Sequence, residues 1–263
     1  CLASLALEHH EPRLWDTMAD WIRTGSTLVS VQRLKNLSAS FPRGAERLGE
    51  LGRVAISEAK DARWRTLTSA RTRTVAQPHK PVKSRTAGPN LATGPALTLR
   101  LRSVFGIGVK ADLIAFLLGS PRRATVSGAA ATLGYGAPAV FRALQDFDAA
   151  AILRSWDGPG AAEYWVDPGN WESLLGGSER IAPWGFWRER IALACDVTEW
   201  EEASVGRAIS EYARGVAVRD LVEKHRSALA RAFDQHTTVP DSAAVADWKA
   251  FFEIVARQIE AAG

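Results

Sequence analysis

Residues 125–167 read TVSGAAATLGYGAPAVFRALQDFDAAAILRSWDGPGAAEYWVD, and the hydrophobic period changes once within them. Thr125 can accept from the backbone of the next turn, so it predicts the N-cap of a short helix with Val126, Ala129, Ala130 and Leu133 on its buried side. Gly134-Tyr135-Gly136 predicts a tight turn, with Gly134 free to adopt a left-handed backbone. A second helix is predicted from Ala137, with Pro138 tolerated in its first turn. Val140, Leu144 and Phe147 recur at i, i+4 and i+7 along it. Then alternation replaces the helical period. Ile152–Trp156 and Ala161–Val166 read as two strands joined by Asp157-Gly158-Pro159-Gly160.

Upstream, Lys110–Leu118 predicts a third apolar helix, closed by Gly119 and Pro121. Phe105-Gly106-Ile107-Gly108 lacks the third glycine and the preceding strand of a dinucleotide fingerprint, and reads as a loop before that helix. The order is helix, helix, turn, helix, hairpin. With Thr125, Ala130, Leu133, Gly134, Val140, Arg142, Ala143, Leu144, Phe147 and Ile152 at their spacing, residues 111–166 resemble the winged helix-turn-helix regulators of prokaryotes. The resemblance implies DNA binding, with a recognition helix over Ala137–Asp148 lying in the major groove and Ala137 near its leading end. On that helix Arg142 has the donors for guanine and Gln145 those for adenine. The same resemblance implies phosphate contacts from Thr125, Ser127 and Tyr135, and added charge from Arg122 and Arg123.

Three features depart from the family pattern, the first an apolar Phe141 where a polar residue is common. Gly136, Ala137, Pro138 and Ala139 stand where members often have Ser, Thr, Arg or Lys, and residues 157–163 hold two acids and no base. A winged helix used for protein contact or dimerisation has the same appearance, so an interaction protein stays open as the alternative.

Charge along the chain is uneven. Between Asp61 and Asp112 there is no acidic residue, while Arg63, Arg65, Arg71, Arg73, Lys80, Lys83, Arg85, Arg100, Arg102 and Lys110 are basic. Residues 111–263 carry 15 basic and 21 acidic side chains. Such a block predicts a polyanion partner, because each cation that meets a phosphate releases a counterion. Pro78, Pro81, Gly88, Pro89 and Pro95 mark residues 71–95 as a linker.

The expected organisation is a mainly α chain. Residues 1–70 form an N-terminal helical unit, 96–176 the winged helix domain and 177–263 a C-terminal helical unit. In the first, Leu14, Met18, Trp21 and Ile22, then Val31, Leu34 and Leu37, recur at helical spacing. Pro12 marks a helix start, and Gly25 and Pro42 mark breaks. In the last, helices are expected over 184–194, 203–214 and 216–233. A further one follows Asp241 or Ser242 and carries Val245, Trp248, Phe252, Val255 and Ile259.

Cys1 and Cys195, far apart and without a CxxC, predict free thiols of a cytoplasmic protein rather than zinc ligands or a disulfide. His9 and His10 have no ligand partner at metal spacing. No cofactor is expected. No apolar run reaches the roughly 18 residues of a membrane span. Cys1–Leu7 is too short for a signal segment, and a start at Cys rather than Met suggests that upstream residues are missing. Six of the ten tryptophans fall between Trp156 and Trp200 and are expected to pack the wing onto the following helices. Arg219–His225 resembles the Arg…His motif of HEPN-type ribonucleases, though one residue longer than its common form. The resemblance implies Arg219 on a phosphate and His225 in proton transfer. A mixed-charge surface helix explains the stretch equally, and no enzyme is expected. The reading is a DNA-binding transcriptional regulator, acting as a homodimer on duplex DNA.

Overall fold

In the computed structural model residues 1–68, 90–120, 122–185, 187–204, 207–232, 240–241 and 244–260 are described. They are mainly helical, with one small antiparallel sheet. The chain divides into two units, Cys1–Trp184 and Gly185–Gly263. The first takes in both the N-terminal helices and residues 96–176.

The first unit opens with α1 (Leu2–Ala6), α2 (Arg13–Gly25), α3 (Val31–Leu37), α4 (Pro42–Ser57) and α5 (Arg65–Thr68). Pro12 precedes α2 and Pro42 occupies the first turn of α4, where a missing N–H costs nothing. The buried stripe of α2 is Trp15, Met18, Ala19 and Ile22. Leu14 and Trp21 flank it half-buried, so the expected stripe is rotated by about one residue. Ser30 caps α3 by accepting from Arg33 N at 3.2 Å. Gly44 on α4 lies against the carbonyl of Leu2, where any side chain would collide.

The chain resumes with α6 (Leu97–Phe105) and α7 (Val109–Gly119), separated by the Gly106–Gly108 loop. Every residue of α7 from Ala111 to Gly119 is buried, which makes it the central helix of the unit. Strand β1 (Ala124–Thr125) leads directly into α8 (Val126–Leu133), α9 (Ala137–Ala149), β2 (Arg154–Trp156), β3 (Glu163–Trp165) and α10 (Gly169–Leu175). Thr125 caps α8 as expected, accepting from Gly128 N at 3.1 Å. Gly134 adopts φ 71°, a conformation that costs other residues strain. Val140, Ala143, Leu144 and Phe147 of α9 are buried against α7 and α8.

The sheet has the order β1-β3-β2, all antiparallel, with Ala124 and Ser155 both opposite Tyr164. Both hairpin strands are shorter than expected. Ile152 is taken by the end of α9, where its N–H bonds Phe147 O at 2.9 Å and Ala151 adopts φ 55°. Ala161 and Ala162 lie in the loop, beyond the last pair, Trp156↔Glu163.

The second unit contains α11 (Trp187–Ser204), α12 (Glu211–Ala232) and α13 (Val245–Glu260) around Leu193, Val218, Val222, Trp248 and Phe251. The expected helix over 203–214 is not formed. Residues 207–210 are non-helical, and Ser210 starts α12 by accepting from Ala213 N at 3.2 Å. Of the expected features, Ser242 lies outside the described residues, as do residues 71–89 and Pro121.

Candidate nucleic-acid interface

The first residues of α9 are on the surface. Ala137, Pro138, Phe141, Arg142 and Gln145 are exposed, while the opposite face fills the core. Arg142 folds back on its own helix, its Nε donating to Pro138 O at 3.3 Å. Among the described residues, Arg142, Arg122 and Arg154 have no ion-pair partner. Asp146 on the same helix pairs with Lys110 at 2.8 Å, and Asp148 accepts from Ser155 Oγ at 3.3 Å. Ser127 is exposed with its hydroxyl 3.2 Å from that of Thr125, so both stand at the start of α8.

Tyr135, expected to contact phosphate, is half-buried. Its hydroxyl donates to Asp112 Oδ2 at 2.8 Å, inside the unit. Burial, then the adjacent Asp112 carboxylate, push its pKa up to about 12. The α8–α9 turn is thereby tied to α7. Asp112 is fully buried and holds two guanidiniums as well. Arg102 Nε meets Oδ1 at 2.7 Å and Nη2 meets Oδ2 at 2.7 Å, while Arg33 Nη1 meets Oδ2 at 2.8 Å. Arg102 Nη1 also donates to Leu28 O at 2.9 Å. One carboxylate thus joins α3, α6, α7 and the turn before α9.

Arg123 is also partly committed. Its guanidinium lies 4.3 Å from the ring centre of Trp165 and 5.8 Å from that of Trp156, and 3.5 Å from Glu163. The tryptophans divide between roles. Trp171 is in the core beside Phe105, and Trp184 packs edge-on against Phe116 at 5.3 Å, whereas Trp156 stays 49% exposed on β2.

The acid-free block is not a free basic face where it is described. Arg63 pairs with Asp61 and donates to Ser26 O, Arg100 donates to Leu175 O at 2.7 Å, Arg102 is bound to Asp112 and Lys110 to Asp146. Arg65 is exposed. Arg71, Arg73, Lys80, Lys83 and Arg85 lie outside the described residues.

His225 has an orienting group that neighbouring sequence does not supply. Its Nε2 lies 2.6 Å from Asp196 Oδ2 on α11, an oxygen shared with Lys224 Nζ at 2.7 Å. Burial would raise the Asp196 pKa, but these two hydrogen bonds outweigh it and bring it below the ordinary value. Arg219 instead neighbours Asp220 at 3.5 Å, and it is six positions from His225 along the helix, which puts the two about 120° apart on different faces. Cys1 and Cys195 form no disulfide. No helix among the described residues is long and apolar enough to cross a membrane.

No protein-family model, curated protein or solved structure matches this chain.

Proposed function

We propose that residues 111–166 are a winged helix-turn-helix and that the chain is a transcriptional regulator binding duplex DNA as a homodimer. The observation that carries this reading is the exposed leading half of α9. It follows α8 across the Gly134–Gly136 turn, is backed by the buried α7, and is followed by the β2–β3 hairpin. Arg142 and Gln145 are the base-reading candidates on it. Thr125, Ser127 and Arg122 are the candidates for phosphate, and Tyr135 acts from beneath by holding the turn.

The test is fluorescence anisotropy of the full chain on random and selected duplexes across a salt series. Arg122 and Arg154 of both protomers meeting four phosphates would give a slope of log K on log salt of about −3.6, steeper if residues 71–85 add contacts. Arg142→Ala is expected to cost on the order of 1–3 kcal/mol on a selected site and to relax preference there.

A second reading, protein contact through the same face, has its own support. Phe141 is 43% and Trp156 49% exposed, and Asp146 and Asp148 add negative charge to α9. Binding that does not change with salt, or an Arg142→Ala protein with unchanged preference, would favour it over DNA.

A further inference from the structure

We infer that the second unit holds a binding site for an uncharged, aromatic or aliphatic small molecule. A cavity of about 810 Å3 lies among α11, α12 and α13, walled chiefly by Val197, Trp200, Val218, Leu221, Trp248 and Phe252. That volume is in the range that encloses drug-sized ligands, roughly 300–1,000 Å3.

The chemistry of the wall defines the class. Its two hydroxyls are turned back into their own helix, Thr198 Oγ1 donating to Ala194 O at 2.9 Å and Ser204 Oγ to Trp200 O at 2.7 Å. Neither offers a donor to a guest. The charges sit at the exposed rim and balance, Arg214 and Lys249 against Glu201 and Glu253. A net ionic ligand would gain nothing from such a rim and would lose hydration inside. Trp200 from α11 and Trp248 and Phe252 from α13 line the cavity, and such rings suit a flat, apolar guest.

Gly215 supplies a second, independent argument. It is buried in the interior of α12, where glycine weakens a helix relative to alanine, and it faces the cavity. A larger residue there would project into the space. The site lies wholly within Gly185–Gly263, so its failure leaves the DNA reading untouched, and the reverse also holds.

The experiment titrates the full chain with N-phenyl-1-naphthylamine, a neutral fluorophore, exciting the tryptophans and reading energy transfer from Trp200 and Trp248. Saturable binding of one probe per chain is expected, with the sulfonated anilinonaphthalene bound more weakly. Gly215→Leu should weaken the neutral probe by about tenfold or more, with near-ultraviolet circular dichroism unchanged. Ala194→Phe, which fills the cavity from α11, should do the same and carries the test if Gly215→Leu does not fold. Non-saturable binding, tighter binding of the sulfonate, or filled variants that bind as well as the parent would overturn the proposal. One probe per two chains, with a dimer that the filled variants disrupt, would assign the cavity to a second copy and overturn it too.

Discussion

Replacing Asp112 by Asn changes one atom of a fully buried side chain and removes the only negative charge among Arg33, Arg102 and Tyr135. The carboxylate accepts four hydrogen bonds, three at Oδ2 and one at Oδ1, all between 2.7 and 2.8 Å. The least harmful placement of the amide keeps its oxygen at the three-donor position and points its NH2 at Arg102 Nε, a donor facing a donor. More costly is the charge. The Arg33 and Arg102 side chains are 17% and 9% exposed, so both guanidiniums would be left in poorly hydrated surroundings without a counter-ion. Breaking a buried pair from one side costs roughly 3–5 kcal/mol, against a total stability on the order of 5–15 kcal/mol. With a urea dependence of about 2–3 kcal/mol per molar, the midpoint of the first unit should fall by about 1–2.5 M.

The assay is urea unfolding followed by hydrogen exchange in peptides from α7, which isolates the first unit from the second. Tyr135→Phe provides the internal scale. It removes one hydrogen bond to a charged group, worth about 1.5–3 kcal/mol, and leaves both ion pairs intact. The expected order is therefore Asp112→Asn more damaging than Tyr135→Phe, and both more damaging than a change at exposed Ser127. A midpoint for Asp112→Asn within about 0.3 M of the parent, or a larger loss from Tyr135→Phe, would refute the reasoning.

Three further outcomes follow from local geometry. Ala151→Gly should stabilise the first unit by about 1 kcal/mol and raise its melting temperature by roughly 2–4 °C, because Ala151 closes α9 at φ 55°, where an L side chain is strained; an unchanged or lower melting temperature would count against it. Hydrogen bonds from Arg63 chiefly hold Asp61 below the usual carboxylate pKa, so the folded state takes up its proton at lower pH than the unfolded chain. That contribution is present above about pH 4 and fades as pH falls through the lowered value, so Asp61→Asn should flatten this part of an acid titration, and an identical pH profile would contradict it. Mixed RNA should survive incubation with the chain, since Arg219 and His225 lie on different faces of α12 and Asp196 holds the imidazole in an inter-helix contact; cleavage abolished by His225→Ala would reverse this.

What the sequence made legible and what it hid have separable physical causes. Thr125, Gly134 and the Val140–Leu144–Phe147 period act within a turn or two of themselves, and each was readable because local chemistry alone determines it. The signal for α12 was equally local. Ser210 before Glu211 is an N-cap followed by an acid in the first turn, and the helical period read across 203–214 ran over it. Strand β1 gave no signal, because two residues cannot show alternation. Asp112 is the opposite case. It interrupts an otherwise apolar helix, and Arg33 reaches it across 79 positions of sequence and Tyr135 across 23. A count of charges along the chain assigns Arg102 to a free basic block, and the winged-helix resemblance puts Tyr135 on a phosphate. Only the tertiary pairing shows that both are spent on one carboxylate. The electrostatic case for DNA accordingly moves from the number of cations between residues 62 and 110 to the few that have no carboxylate partner, and Arg122, Arg142 and Arg154 are where it can be measured.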